Sequence, residues 1–217
     1  MTPPKIHPLG DTALVCEAPA PATLECQRRM WALADAARLW PHVVEVVPGM
    51  NNLTLVFDPL QLEQTDLAQQ LKSAWDDALE ADVGTTEIEI PVRYGGADGP
   101  DLASLAKHLK LDIDELVKRH TQADYIVFFL GFQPGFAYLG GLDPTLNAPR
   151  HAKPRLEVPA GSVGIGGEQT GIYPAVSPGG WQLLGRTDVK LFDPARNPPT
   201  LMQPGDHVRF TALEVLA

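Results

Sequence analysis

Apolar positions along the first eighty residues recur at two spacings. Thr12 to Glu17 (TALVCE) reads as a short strand, ended by the Ala/Pro run 18–22. Thr23 is a helix N-cap residue, and Cys26, Met30, Leu33, Ala37 and Trp40 then return at helical spacing until Pro41 stops the pattern. Val43 to Val47 and Leu53 to Phe57 flank the turn PGMNN, a hairpin signal. A second helix is predicted from about Asp66 to Glu80, with Leu67, Leu71, Ala74, Trp75 and Ala78 inward. Glu87 to Val92 then alternates as a half-buried strand does, with Ile88, Ile90 and Val92 on one side. The order β-α-β-β-α-β predicts a small ferredoxin-like α/β domain, although its last strand can equally open the next domain. The boundary falls near 81–87, giving domains 1–84 and 85–217.

The Gly-rich bend YGGADGPDL (94–102) leads to Asp101, placed to cap a helix carrying Leu102, Leu105, Ala106 and Leu109. Asp112 and Glu115 form a capping-box-like pair for a second one. The pair resembles a helix-turn-helix, but no base-reading or phosphate-binding cluster accompanies the second helix, so two packing helices are expected. From Tyr125 the pattern changes: a buried-type strand to Leu130 is followed by residues 131–185, which hold most of the chain's 19 glycines. Frequent tight turns between short apolar runs predict a β-barrel or sandwich, with further strands at Trp181 to Gly185, Val189 to Phe192 and His207 to Phe210. The fold class is therefore α+β.

Composition narrows the function classes. With 44% hydrophobic and 20% charged residues the 217-residue chain is of ordinary packed type. Its formal charge of −10 argues against a nucleic-acid partner. Cys16 and Cys26 form no CxxC pair and read as free thiols of a reducing compartment. No window approaches a membrane span and no leader pattern opens the sequence, so a cytoplasmic protein without a membrane partner is expected.

Familiar catalytic motifs are missing. Ser162 sits in AGSVG rather than GxSxG, no phosphate loop is present, and none of the 6 histidines has metal-ligand spacing. Two segments remain. GFQPGFAYLGG (131–141) leaves a strand with Phe132, Phe136 and Tyr138 as flat apolar surface and Gln133 as an amide donor and acceptor. It reads either as a holder for a small planar amide or as an aromatic plug. Arg150, Lys153 and Arg155 precede VPAGSVGIGGEQTGIYP (158–174), whose Ser162, Gln169, Thr170 and Tyr173 add side-chain donors and whose Gly-rich backbone can aim N–H groups at an anion. The alternative is a surface cluster beside a glycine-packed hairpin.

These two segments, with SPGGWQLLGRT (177–187), KLFDPARNPP (190–199), QPGDHVRF (203–210) and the earlier VPGMNNLTLVFDP (47–59), resemble the first-subunit family of carboxyltransferase-type pairs. Its members include allophanate hydrolase subunit 1, the kinase inhibitor KipI and the B subunit of 5-oxoprolinase, the last of which the VPGMNN segment resembles most. The resemblance spans nearly the whole chain. It implies a small N-terminal α/β domain, a cyclophilin-like β-barrel, a tight pair with a C subunit and a separate A subunit. It also implies ATP-dependent opening of 5-oxo-L-proline to L-glutamate, with ATP possibly held at the B–C interface and no metal in this chain. On that reading Arg150, Arg155 and Gln133 are catalytic, and Phe132, Phe136, Tyr138, Lys153, Ser162, Gln169, Thr170 and Tyr173 bind substrate. Backbone N–H groups near 161–167 would stabilise developing charge. Ala137 departs from the family's usual Pro, and His151 from a common Arg. The alternatives are a sensor histidine kinase inhibitor, or half of a biotin-dependent urea carboxyltransferase.

Overall fold

The structure, a computed structural model, describes residues 3–78 and 86–216. The chain divides into two compact units, Met1–Val83 and Gly84–Ala217. The boundary expected near 81–87 falls mostly on 79–85, outside the described residues.

The first unit contains β1 (Lys5–Pro8), β2 (Ala13–Glu17), α1 (Leu24–Ala37), β3 (Val43–Gly49), β4 (Asn52–Phe57) and α2 (Gln64–Asp77). Thr23 caps α1 as its side chain predicts, Oγ1 accepting from the Cys26 N–H at 3.2 Å. The helix ends at Ala37, so Trp40 lies beyond it. α2 ends at Asp77, and its expected extension to Glu80 runs into residues that are not described. Four antiparallel strands form a sheet in the order β1-β2-β4-β3. Alternation on β4 points Leu53, Leu55 and Phe57 inward, against Met30 and Leu33 of α1 and Leu67, Leu71 and Trp75 of α2. Both cysteines are free and buried, and burial pushes the Cys16 thiol up to about 12.

The ferredoxin-like order needs correction at one strand. Glu87–Gly95 does not join this sheet. The edge place beside β2 is taken by β1, which the sequence reading missed because its KIHP stretch is short and ends in proline.

Glu87–Gly95 is β5, the first stave of the second unit, and Ile90, Val92 and Tyr94 point into its core. There follow α3 (Leu102–Leu109), α4 (Ile113–Gln122), β6 (Tyr125–Leu130), β7 (Ala137–Gly140), β8 (Arg155–Val158), β9 (Ser162–Gly166), β10 (Gln169–Ile172), β11 (Ser177–Gly179), β12 (Gln182–Arg186) and β13 (His207–Leu216). Seven of these close a barrel in the order β10-β7-β6-β13-β5-β12-β9, while β8 and β11 pair as a separate ribbon. The β5–β13 pair is parallel. α3 and α4 bury Leu102, Leu105, Leu116 and Val117 in the same core as the barrel staves, the packing role expected of them. The strand expected at Val189 to Phe192 reduces to one bridge between Phe192 and Thr200. The neighbouring Pro194, Pro198 and Pro199 carry no N–H with which to extend a ladder.

Inside the barrel lies a polar chain. The Tyr94 hydroxyl is 2.8 Å from His120 Nδ1, His120 Nε2 is 2.9 Å from Thr170 Oγ1, and Thr170 Oγ1 donates to the Gly164 carbonyl at 3.0 Å. Thr170 has a single hydroxyl proton and gives it to Gly164, so His120 donates through Nε2 and accepts from Tyr94 at Nδ1. Complete burial pulls the His120 pKa down to about 3, so the ring is neutral.

Candidate functional site: an aromatic cleft beside a buried carboxylate

A cleft of about 310 Å³ opens on the second unit, lined by Phe132, Phe136, Tyr138, Tyr173 and Trp181 together with Arg150, His151, Pro154, Pro178 and the Gly179–Gly180 backbone. This is close to the lower end of ordinary small-molecule sites, roughly 300–1,000 Å³. Its rings interlock edge to face. Phe136 lies 5.5 Å from Tyr173 and 5.4 Å from Trp181, near-perpendicular to both, and Tyr138 meets Trp181 at 6.0 Å. Glycine permits this packing: a Cβ at Gly166 would run into the Trp181 indole, and one at Gly179 into the Tyr173 hydroxyl. Phe132 sits at the lip with φ at 64° and is 59% exposed. A bulky residue rarely holds that left-handed backbone, at about 1–3 kcal/mol of strain.

Charge enters from the segment after Pro149. The Arg150 guanidinium lies over the Trp181 ring at 5.8 Å and has no carboxylate partner among the described residues. The segment is fastened to the start of β12: Gln182 Nε2 donates to the Pro149 carbonyl at 2.8 Å, and the His151 N–H donates to the Gly180 carbonyl at 2.7 Å.

Asp101 lies behind this wall, only 6% exposed. It stands at the N-cap position of α3, as its spacing suggests, but its side chain makes no capping bond. Its Oδ2 accepts from the Leu183 N–H at 2.7 Å and lies 3.3 Å from His151 Nε2, while Oδ1 accepts from Arg155 Nη2 at 2.7 Å. Burial works to raise the Asp101 pKa, but the donors Arg155, Leu183 and His151 outweigh it and hold the carboxyl below its usual range. Burial pushes the Tyr138 and Tyr173 hydroxyls upward, so both are neutral near pH 7.

The residues expected to form the site are distributed unevenly. Phe132, Phe136, Tyr138, Arg150 and Tyr173 meet in the cleft. Arg155 is turned to Asp101, with Nη1 buried and without a partner. Lys153 is exposed and outside the lining. Gln133 is absent from the lining, and its Oε1 is buried without a hydrogen bond. Ser162 and Thr170 are buried in the barrel wall, Thr170 engaged with His120, and Gln169 begins β10 opposite Gly166.

The expected anion-binding backbone at 161–167 also needs correction. β9 is an inner stave paired with both β10 and β12. The Gly161 N–H donates to the Tyr173 carbonyl, the Ser162 N–H to Pro159 and the Gly167 N–H to Ala148, so these donors are committed within the fold. Sequence reasoning missed Trp181, His151 and Asp101 as members of one site. SPGGW enters that reasoning only through a resemblance, and Asp101 only as a cap.

Comparison with known proteins gives a consistent picture. The family model for the carboxyltransferase domain, subdomain C and D, matches residues 4–202. A protein of Escherichia coli O157:H7 named as the B subunit of 5-oxoprolinase is 51% identical, covering 93% of this chain and 93% of its own length. Its namesake in Haemophilus influenzae is 48% identical, with 94% and 96% covered. Among solved structures, the crystal structure of TTHA0988 superposes with a TM-score of 0.80 at 38% identity, over 94% of this chain and 40% of that one, so this chain spans less than half of that protein.

Proposed function

This chain belongs to the carboxyltransferase C and D family, among its 5-oxoprolinase B-subunit members, and we propose that it serves as one component of a cytoplasmic enzyme that opens 5-oxo-L-proline to L-glutamate with hydrolysis of ATP. Its partners in that reading are a C subunit, paired tightly with it, and an A subunit that completes the hydrolysis. A five-membered lactam is an unstrained, stable amide. Transfer of the γ-phosphoryl group of ATP to the carbonyl oxygen makes its carbon a far better electrophile. Such a transfer calls chiefly for positioning and charge neutralisation.

The observation that carries the reading is Arg150: a guanidinium without an acid partner among the described residues, held over Trp181 at an aromatic cleft, in a chain of formal charge −10. The rings offer faces to a small planar lactam, and Arg150 takes its carboxylate by a charge-assisted hydrogen bond. Arg155 acts one step back, by fixing Asp101. ATP binds where this chain meets the C subunit.

The test is 5-oxoproline-dependent ADP release by the complex reconstituted with both partners. Arg150→Ala is expected to lower kcat/KM by about 100-fold, a loss of about 3 kcal/mol of transition-state stabilisation. A wild-type rate in that variant would remove Arg150 from the site.

A further inference from the structure

Arg150 and Tyr173 border the same indole. The Arg150 guanidinium stands 5.8 Å from the Trp181 ring, and the Tyr173 ring lies 6.4 Å from it at 78°. Tyr173 is only 2% exposed, yet it lines the cleft. Its ring is held edge to face against Phe136 at 5.5 Å, so its hydroxyl has a fixed place. Glycine makes that place: a Cβ at Gly179 would stand 2.4 Å from the Tyr173 oxygen. Burial raises the Tyr173 pKa, while the Trp181 backbone N–H bonded to its oxygen and the charge of Arg150 pull against that rise. The oxygen therefore accepts from Trp181, and no acceptor for its proton occurs among the described residues. A neutral phenol held in this way keeps its O–H for the oxygen of a ligand.

We propose that the Tyr173 hydroxyl is the second arm of a carboxylate clamp, donating to the substrate carboxylate that Arg150 holds; this rests on the lactam-opening reading above. A carboxylate has two oxygens and accepts from more than one side. With the guanidinium on one oxygen and the phenol on the other, rotation about the bond to the ring stops. The lactam is then turned to one orientation against the aromatic faces of the cleft. The clamp also selects: a lactam without an acid group leaves both donors unmatched, and an unmatched buried donor is costly.

The charge of the cleft favours a carboxylate over a phosphate chain. Arg155 is committed to Asp101, and Lys153 lies outside the lining, so Arg150 is the guanidinium that meets the ligand. One fixed cation and a neutral donor match a single negative charge. The several charges of a nucleotide's phosphates call for more cations than these. Tyr138 has a different task, since its ring stacks on Phe129 at 4.3 Å and 9° and forms a wall.

The experiment measures ADP release by the reconstituted complex carrying Tyr173→Phe, which keeps the ring and its packing and deletes the O–H. The KM for 5-oxoproline should rise by about tenfold or more, while kcat and the KM for ATP change by less than about threefold. 2-Pyrrolidinone, the same ring without the acid group, should compete equally poorly against the wild type and the variant. An unchanged KM for 5-oxoproline overturns the clamp and leaves the lactam-opening reading standing. So does a rise in the KM for ATP alone, which would put the hydroxyl on a phosphate, or a fall in kcat alone, which would put it on the reacting atoms. Loss of 2-pyrrolidinone competition in step with 5-oxoproline would place the hydroxyl on the lactam ring and overturn the clamp as well. A wild-type complex that releases no ADP in response to 5-oxoproline overturns both.

Discussion

Two histidines of the second unit, His120 and His151, have different side-chain neighbours and opposite freedom. Each ring has an oxygen partner close to one nitrogen. His120 is sealed in the barrel with its second nitrogen bonded to Tyr94 and its ring 4.6 Å from Phe210. His151 stands at a cleft wall with its second nitrogen free of protein partners among the described residues. A histidine with both nitrogens engaged and no solvent holds structure together. One with a single nitrogen engaged and the other facing a cleft retains a chemical capacity. Burial and hydrogen-bond accounting, rather than residue type, separate the two roles.

This contrast is broken most severely at His120. His120→Ala should destabilise the protein by about 4 kcal/mol in urea denaturation, since it leaves a cavity and strands the Tyr94 hydroxyl. His151→Gln should shift the urea midpoint by less than about 0.5 kcal/mol equivalent. Similar losses at the two sites would erase the distinction.

A second probe is pH. The folded His120 pKa, about 3, lies below its ordinary value of 6.5. The unfolded chain therefore binds this proton more readily throughout that interval. The stability contributed by keeping the ring neutral is complete above pH 6.5 and is lost as pH falls toward 3. The rings nearest His120, those of Tyr94, Tyr125 and Phe210, carry no charge in this window. The Asp101 carboxyl, with its pKa already lowered, adds its own loss only below the usual carboxylate value. Urea midpoints should therefore begin to fall near pH 6.5. A flat profile down to pH 5 would remove the buried neutral ring.

A smaller loss than at His120 is expected at Tyr94. Tyr94→Phe deletes the donor to His120 Nδ1 at little change in volume and should cost about 1–2 kcal/mol. Combined with His120→Leu, which removes the stranded acceptor, the double variant should be more stable than the sum of the single losses predicts. Strict additivity would show that the two side chains are not coupled.

Local patterns were legible where one element decides its own form. The Thr23 cap, the apolar stripe of α1 and the alternation of β5 follow from side-chain spacing alone. The sheet that β5 joins did not follow, because alternation marks a buried face without naming the partner strand. For the same reason Arg150 and Arg155 looked equivalent as neighbours in sequence. β8 turns Arg155 to a carboxylate that lies 54 residues earlier, while Arg150 is left over an indole. The glycines of 161–167 read as an anion-binding loop, but in the folded chain Gly161, Gly164 and Gly166 serve close packing, and ladder and loop hydrogen bonds engage this stretch. The aromatic half of the cleft was legible from residues 131–141, and its Asp101–His151 wall was not, because three distant segments build it.

The parallel pairing of β5 with β13 also has a consequence for synthesis on the ribosome. Thr86 at the threshold of β5 donates to Asp206, 120 residues further along the chain. At translation rates of about 5–20 residues per second, the first stave emerges on the order of ten seconds before its neighbour exists. Through that interval Ile90 and Val92 have no closed barrel to enter, so a nascent chain stalled before His207 presents an open, apolar strand to whatever chaperone or protease reaches it first.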